Sequence, residues 1–189
     1  SNISSDRSSE QELKVGTYDG RAKARSFLTF STAPFKGVKV QSASLKVYES
    51  WSYSCTPKPL EVWSTKSVAS SSIRWGSQPG LVTRYGSVNV AKGANSSCAA
   101  GWVNIPITGL AQSWSTSSAA SATLALKAAS ETDVLGWKRF RSMESTTPPS
   151  IVFTYNRKPN AAAIPQVAGS TTFAGATFVS PKRPSVSTT

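Results

Sequence analysis

The sequence contains no histidine. That absence removes the commonest general base, the Ser-His nucleophile pair and most zinc sites. Acidic residues are scarce too, nine against 21 lysines and arginines, which leaves few carboxylate pairs for acid–base work on a glycosidic bond. No apolar run reaches the roughly 18 residues of a membrane-spanning helix. Ser1, Asn2 and Ile3 open the chain without the basic-then-apolar pattern of a signal peptide, and the chain reads as an excerpt of a longer protein. A sustained 3.6-residue apolar stripe is missing as well, which argues against a helical domain.

What is present is Val, Thr, Phe, Tyr and Trp in short runs separated by Ser, Thr, Gly and Pro. These residue types favour pleated, half-buried surfaces. The expected fold is all-β, an antiparallel β-sandwich with one short helix. Leu13 to Val15 reads as a strand leading through Gly16 and Asp19-Gly20 into a hairpin turn, with Arg25 to Phe30 as the returning strand. Val38 to Glu49 alternates apolar and polar residues and slips one step between Val40 and Ala43, the mark of a bulge. Further strands are expected over Leu60 to Thr65, Val82 to Val90, Thr123 to Ala128, Gly136 to Phe140 and Ser150 to Tyr155, with an ordered loop over Ile73 to Gly80. Thr108, Leu110, Ala111 and Trp114 have the cap and spacing of the one helix. From Asn156 the composition turns to Pro, Ala and Lys, so residues 1–156 form the domain and 157–189 a linker and the truncated start of something else.

Two cysteines fit either a disulfide or two buried thiols. Cys55 follows Trp51-Ser-Tyr-Ser and Cys98 follows Asn95-Ser-Ser, both polar, turn-like settings at strand ends. Such settings favour a Cys55–Cys98 bridge and hence an oxidising, extracellular compartment.

With a net charge of +12 the molecule attracts polyanions, among them acidic glycans, wall polymers and nucleic acid. The basic residues are scattered and no nucleic-acid fold signature is present, so nucleic acid is the weakest of these partners. Aromatic rings stack on the C–H faces of sugars while Arg and Lys pair with uronate or phosphate groups. Trp51 and Tyr53, which face solvent around Cys55, and Trp75 are the stacking candidates; Arg74, Arg84 and Tyr85 are the anionic-group partners. Trp63, Trp102, Trp114 and Trp137 sit in apolar strand or helix patterns and are expected in the core. The nearest approach to a catalytic pair is Glu131 with Asp133, which reads as a solvated loop neighbouring Lys138 and Arg139. No cofactor is expected, since calcium held by Asp19, Glu131 or Asp133 lacks a loop motif.

The ordered series Leu13-Lys-Val-Gly16, Arg25-Ser-Phe-Leu-Thr-Phe30, Val40 to Tyr48, Arg74-Trp-Gly-Ser-Gln-Pro79, Trp102 to Trp114, Trp137-Lys-Arg-Phe140 and Pro149 to Asn156 resembles the DNRLRE domain over residues 3 to 156. That domain is related to the family 96 carbohydrate-binding modules, and this version is found in large secreted or surface proteins of filamentous actinobacteria. The resemblance implies a jelly-roll-like sandwich accompanying a catalytic, toxin-like or repeat-rich partner, and the tail over 157–189 resembles the truncated start of the immunoglobulin-like repeat that often follows this domain. The family's opening edge strand is reduced here to Ser1–Ile3 and its acidic motif is not recognisable, so no ligand residue is carried over. Two functions follow: a non-catalytic module binding anionic extracellular polysaccharide or cell-wall polymer, or a structural spacer docking neighbouring domains of the parent protein.

Overall fold

The computed structural model describes residues 9–70 and 73–157, together with the backbone of 171–173 and 176–179. Two antiparallel sheets face each other as a β-sandwich. The first is organised by β4 (Val38–Ser52), whose 15 residues make it the longest strand described. Its neighbours are β10 (Ser150–Arg157) and β9 (Lys138–Arg141) along one edge and β7 (Gly101–Pro106) along the other. β1 (Glu12–Thr17) adds to β9, and the two-residue β2 (Lys23–Ala24) adds to β1. The second sheet runs β3 (Ser26–Ser31), β8 (Ser121–Ala128), β5 (Lys58–Thr65) and β6 (Leu81–Val90).

Strict alternation along β4 buries Val38, Val40, Ala43, Leu45 and Val47 between the sheets. The expected slip is present: opposite β10 the register jumps from Thr154↔Ser42 to Tyr155↔Val40, leaving Gln41 as the extra residue. Around it, side chains of the single α-helix among the described residues, α1 (Thr108–Thr116), satisfy backbone donors of β4. Gln112 Oε1 accepts from the Val40 N–H at 2.8 Å and Thr108 Oγ1 from the Ala43 N–H at 3.0 Å. The Thr108 hydroxyl thus serves the strand and does not cap the helix. Leu110, Ala111 and Trp114 turn inward, and Trp114 packs edge-on against Phe35, which stacks on Phe153 at 4.2 Å.

The expected hairpin between Leu13–Val15 and Arg25–Phe30 does not form as such. Within the hairpin only Lys23 and Ala24 return along β1, whose other edge pairs with β9; the chain then crosses at Arg25 to become the edge of the opposite sheet, pairing Ser26–Ser31 with β8. A backbone hairpin, β11 (Thr171–Phe173) and β12 (Ala176–Val179), lies beyond β10, with β12 parallel to it. The reading of 157–189 as a linker and the start of another unit otherwise falls outside the described residues.

One disulfide joins Cys55, just past the end of β4, to Cys98, just before β7. The expected bridge is therefore present.

Candidate functional site

Because the chain changes sheets at Arg25, the edges of the two sheets stay apart on that side and frame an open cleft of about 1380 Å³. The first sheet contributes Trp51 and Tyr53 at the end of β4, with Arg139 of β9 and Trp137 just before it; the second contributes Phe27 and the loop bearing Arg74, Trp75 and Gln78. Four of the six expected ligand residues, Trp51, Tyr53, Arg74 and Trp75, thus share one cavity although they lie up to 24 positions apart. Tyr53 is 50% exposed and Trp75 39%. Trp51 is half-buried, flanked by Tyr53 edge-on with ring centres 6.4 Å apart. The register of β4 against β9 shifts between Glu49 and Trp51, so Ser50 is a second bulge residue and Trp51 stays on the solvent side with Tyr48.

Two of the three cleft tryptophans, Trp51 and Trp75, are backed by a guanidinium. Arg25 lies 5.1 Å from the centre of the Trp75 ring, and Arg139 lies 5.0 Å from that of Trp51. Arg25 is clamped from below: its Nε and Nη2 each donate at 2.7 Å to the two carboxylate oxygens of Glu131, and Nη1 donates to Gln78 Oε1 at 3.1 Å. Gln78 Nε2 in turn donates to the Trp75 carbonyl at 2.7 Å, and Ser77 Oγ accepts from the Arg74 N–H at 3.1 Å. This network ties the Arg74–Gln78 turn to Arg25 of the sheet edge. On the other wall Arg139 approaches Glu12 at 3.5 Å.

Six cations line the cleft (Lys14, Arg21, Lys23, Arg25, Arg74, Arg139) against three acids (Glu10, Glu12, Glu144). Three of these cations are paired, Lys14 with Glu10, Arg25 with Glu131 and Arg139 with Glu12, and the lining still carries more cations than acids.

Arg84 and Tyr85 lie elsewhere. Arg84 sits on the outer face of the second sheet, where it donates to Glu61 at 2.8 Å; Trp63 donates to the same carboxylate at 2.9 Å and Lys127 lies 3.7 Å away. Burial raises the Glu61 carboxyl, but hydrogen bonds from Arg84 and Trp63 outweigh it and hold the pKa below the ordinary value. Tyr85 packs against the core with its ring beside Gly109 of α1.

Two tryptophans are not where the sequence pattern led. Trp102 is 40% exposed on the outer face of the first sheet, and Trp63 is only half-buried on the outer face of the second. The signal was available: Trp102 is out of phase with the buried Val103 and Ile105, and Trp63 out of phase with Leu60 and Val62. Trp114 and Trp137 are buried as expected; Trp137 is met edge-on by Tyr18 at 5.9 Å.

The carboxylates have structural partners. Glu131 belongs to Arg25; burial raises its pKa, yet the hydrogen bonds and charge of Arg25 prevail and lower it. Asp133 pairs with Lys58 at 2.7 Å and caps the turn at Leu135 N–H, both of which lower its pKa. Neither acid retains the proton a general acid must donate near neutrality. Lys138 and Arg139, expected beside them, instead face Glu49 and Glu12. Asp19 accepts from the backbone N–H groups of Arg21 and Ala22, and among the described residues no three His, Cys, Asp or Glu side chains gather as a metal site.

Residues 2–155 match the model of carbohydrate-binding module family 96. The chain belongs to this family. Family 96 membership makes it a carbohydrate-binding module, a class that is generally non-catalytic. The match spans nearly the whole described sandwich and both walls of the cleft. Among curated proteins none matches the chain. No helix among the described residues is long and apolar enough to cross a membrane. The disulfide and the carbohydrate-binding class are compatible with an extracellular location.

Proposed function

We propose that the cleft between the sheet edges binds an extended, negatively charged polysaccharide outside the cell, and that the domain serves a larger secreted or surface protein of the DNRLRE type as its substrate-anchoring accessory. The observation that carries this reading is the pair of tryptophans, one from each sheet, each resting on an arginine inside a single cationic cleft. Trp75 is 39% exposed and Trp51 half-buried, which leaves ring surface on each for a pyranose to stack against. Arg74, with Arg21 and Lys23 on the exposed rim, supplies charge for uronate or sulfate groups along the chain. Rigid aromatic anchors and a preformed cavity lower the ordering cost of binding.

Affinity electrophoresis and calorimetry against acidic polysaccharides (polygalacturonate, polymannuronate, hyaluronan) and neutral ones (xylan, dextran), at low and high salt, test the proposal. Saturable binding to an acidic polymer is expected, weakened by salt. Trp51→Ala or Trp75→Ala should each lower affinity about 30-fold, the size of a typical aromatic anchor of about 2 kcal/mol. Arg84→Ala, outside the cleft, should leave it within about twofold. Silence across the whole panel would favour a structural spacer between domains of the parent protein.

A further inference from the structure

We infer that Trp102 and Tyr48 form a second aromatic platform on the outer face of the first sheet, which extends the cleft's track and engages further residues of the same polysaccharide chain. This rests on the reading of the cleft as a polysaccharide site.

Along β4 the outward positions after Ser42 are Ser44, Lys46, Tyr48, Ser50 with Trp51, and Tyr53, because the alternating Ala43, Leu45, Val47, Glu49 and Ser52 are buried. The bulge at Ser50 keeps Trp51 on the solvent side, so Tyr48, Trp51 and Tyr53 follow one another along one strand face. Trp102 enters from β7 directly opposite Tyr48 in the register. The two rings meet edge to face, centres 5.4 Å apart and planes at 87°, and Lys46 Nζ lies 5.1 Å from the Trp102 ring centre. Neither Trp102 nor Tyr48 lines the cleft.

The occupant follows from three features. First, the platform repeats the chemistry of the cleft walls: an aromatic ring backed by a cation, as in Trp51 on Arg139 and Trp75 on Arg25. Second, the outward neighbours are small or polar, with Asn104 opposite Lys46 and Pro106 opposite Ser44, so the surface suits a flat polar chain better than an apolar protein anchor. Third, the platform is continuous with the cleft. Three residues at about 3.3 Å each put Tyr48 roughly 10 Å from Trp51 along β4, the reach of a short oligosaccharide. Trp102 packs on Tyr48 yet stays 40% exposed, so part of its ring remains open to a sugar.

The test is length dependence. Calorimetry with size-graded oligouronates cut from polygalacturonate and polymannuronate should show the native protein gaining at least tenfold in affinity between trisaccharide and octasaccharide. Trp102→Ala and Lys46→Glu should each erase that gain and leave trisaccharide binding unchanged, whereas Trp51→Ala weakens both lengths. In the native protein, the Trp102 indole N–H resonance should move with octasaccharide and stay still with trisaccharide, a readout that needs no variant to fold. If Trp102→Ala and Lys46→Glu bind every length as the native protein does, or the Trp102 resonance stays still with octasaccharide while Trp51→Ala abolishes binding, the platform is refuted and the cleft stands. If the native protein binds neither oligouronate nor any acidic polymer, the cleft reading fails first and the platform with it.

Discussion

Glu49 and Lys138 are the most deeply buried ion pair described, with 0% and 1% of their side chains exposed and 3.1 Å between Oε1 and Nζ. At an effective dielectric of about 20, attraction across that distance is worth about 5 kcal/mol. Stripping water from two such ions costs several kcal/mol each, so the pair roughly breaks even or falls short. Its surroundings help only in part. Lys138 also donates to the Val90 carbonyl, but Glu49 Oε2 lacks a hydrogen-bond partner, the nearby Lys92 amide favouring the charged form without completing a bond of ordinary geometry. Burial accordingly pushes Glu49 above the usual carboxylate range and Lys138 below the usual amine range, in each case against the attraction of its partner. Lys138→Met, which strands Glu49, should therefore cost about 3–5 kcal/mol, while Glu49→Leu with Lys138→Met should be as stable as the native protein or more so. In the single variant Glu49 binds its proton more tightly folded than unfolded. Stability is then retained below the ordinary glutamate pKa and lost as pH rises above it, by up to about 1.4 kcal/mol per pH unit until the raised folded value is passed. Urea unfolding followed by tryptophan fluorescence at several pH values measures the native protein and both variants. A Lys138→Met loss under about 1 kcal/mol with no pH dependence, or a double variant several kcal/mol less stable than native, would refute this account.

The Cys55–Cys98 bridge closes a loop across 43 positions, for which chain entropy gives about 4 kcal/mol; reduction, or replacement of both cysteines by Ala, should lower the melting midpoint by about 8–16 °C in calorimetry. Gly16 and Gly37 separate two penalties. Both have positive φ, but a Cβ on Gly16 would stand 2.7 Å from the Gly136 carbonyl oxygen while one on Gly37 meets nothing, so Gly37→Ala should cost about 1 kcal/mol and Gly16→Ala clearly more in the same unfolding assay. Glu131→Gln should loosen Arg25 beneath Trp75, costing about 1–3 kcal/mol of stability and weakening polysaccharide binding. Since Arg25 outweighs burial and depresses the Glu131 pKa, that stability is present above the ordinary glutamate value and lost as pH falls below it; the variant's acid-unfolding curve should be the flatter of the two.

Local pattern was enough for whatever local pattern controls. Alternation along Val38–Val47 specified which residues point inward, and its slip located the Gln41 bulge. The same period-two rule also placed Glu49 in phase with Leu45 and Val47, and Trp102 out of phase with Val103, though the chemistry of a Glu and a Trp argued the other way. At those positions burial of the strand face prevailed over residue type, because a strand's pleat carries every second side chain inward whatever its preference.

The sequence by itself determined the β class, the one α-helix among the described residues and the absence of imidazole chemistry, since each depends on composition or on neighbours a few residues away; it favoured the disulfide, which the 5.7 Å approach of the Cys55 and Cys98 Cα atoms decided. Only the tertiary structure decided that Trp51, Tyr53, Arg74 and Trp75 share a cleft, that Arg84 does not, and that Glu131 belongs to Arg25 across 106 positions. The reason is the crossover at Arg25 and the registers of β4 with its three partners, which are set by pairing between distant segments that no local window contains.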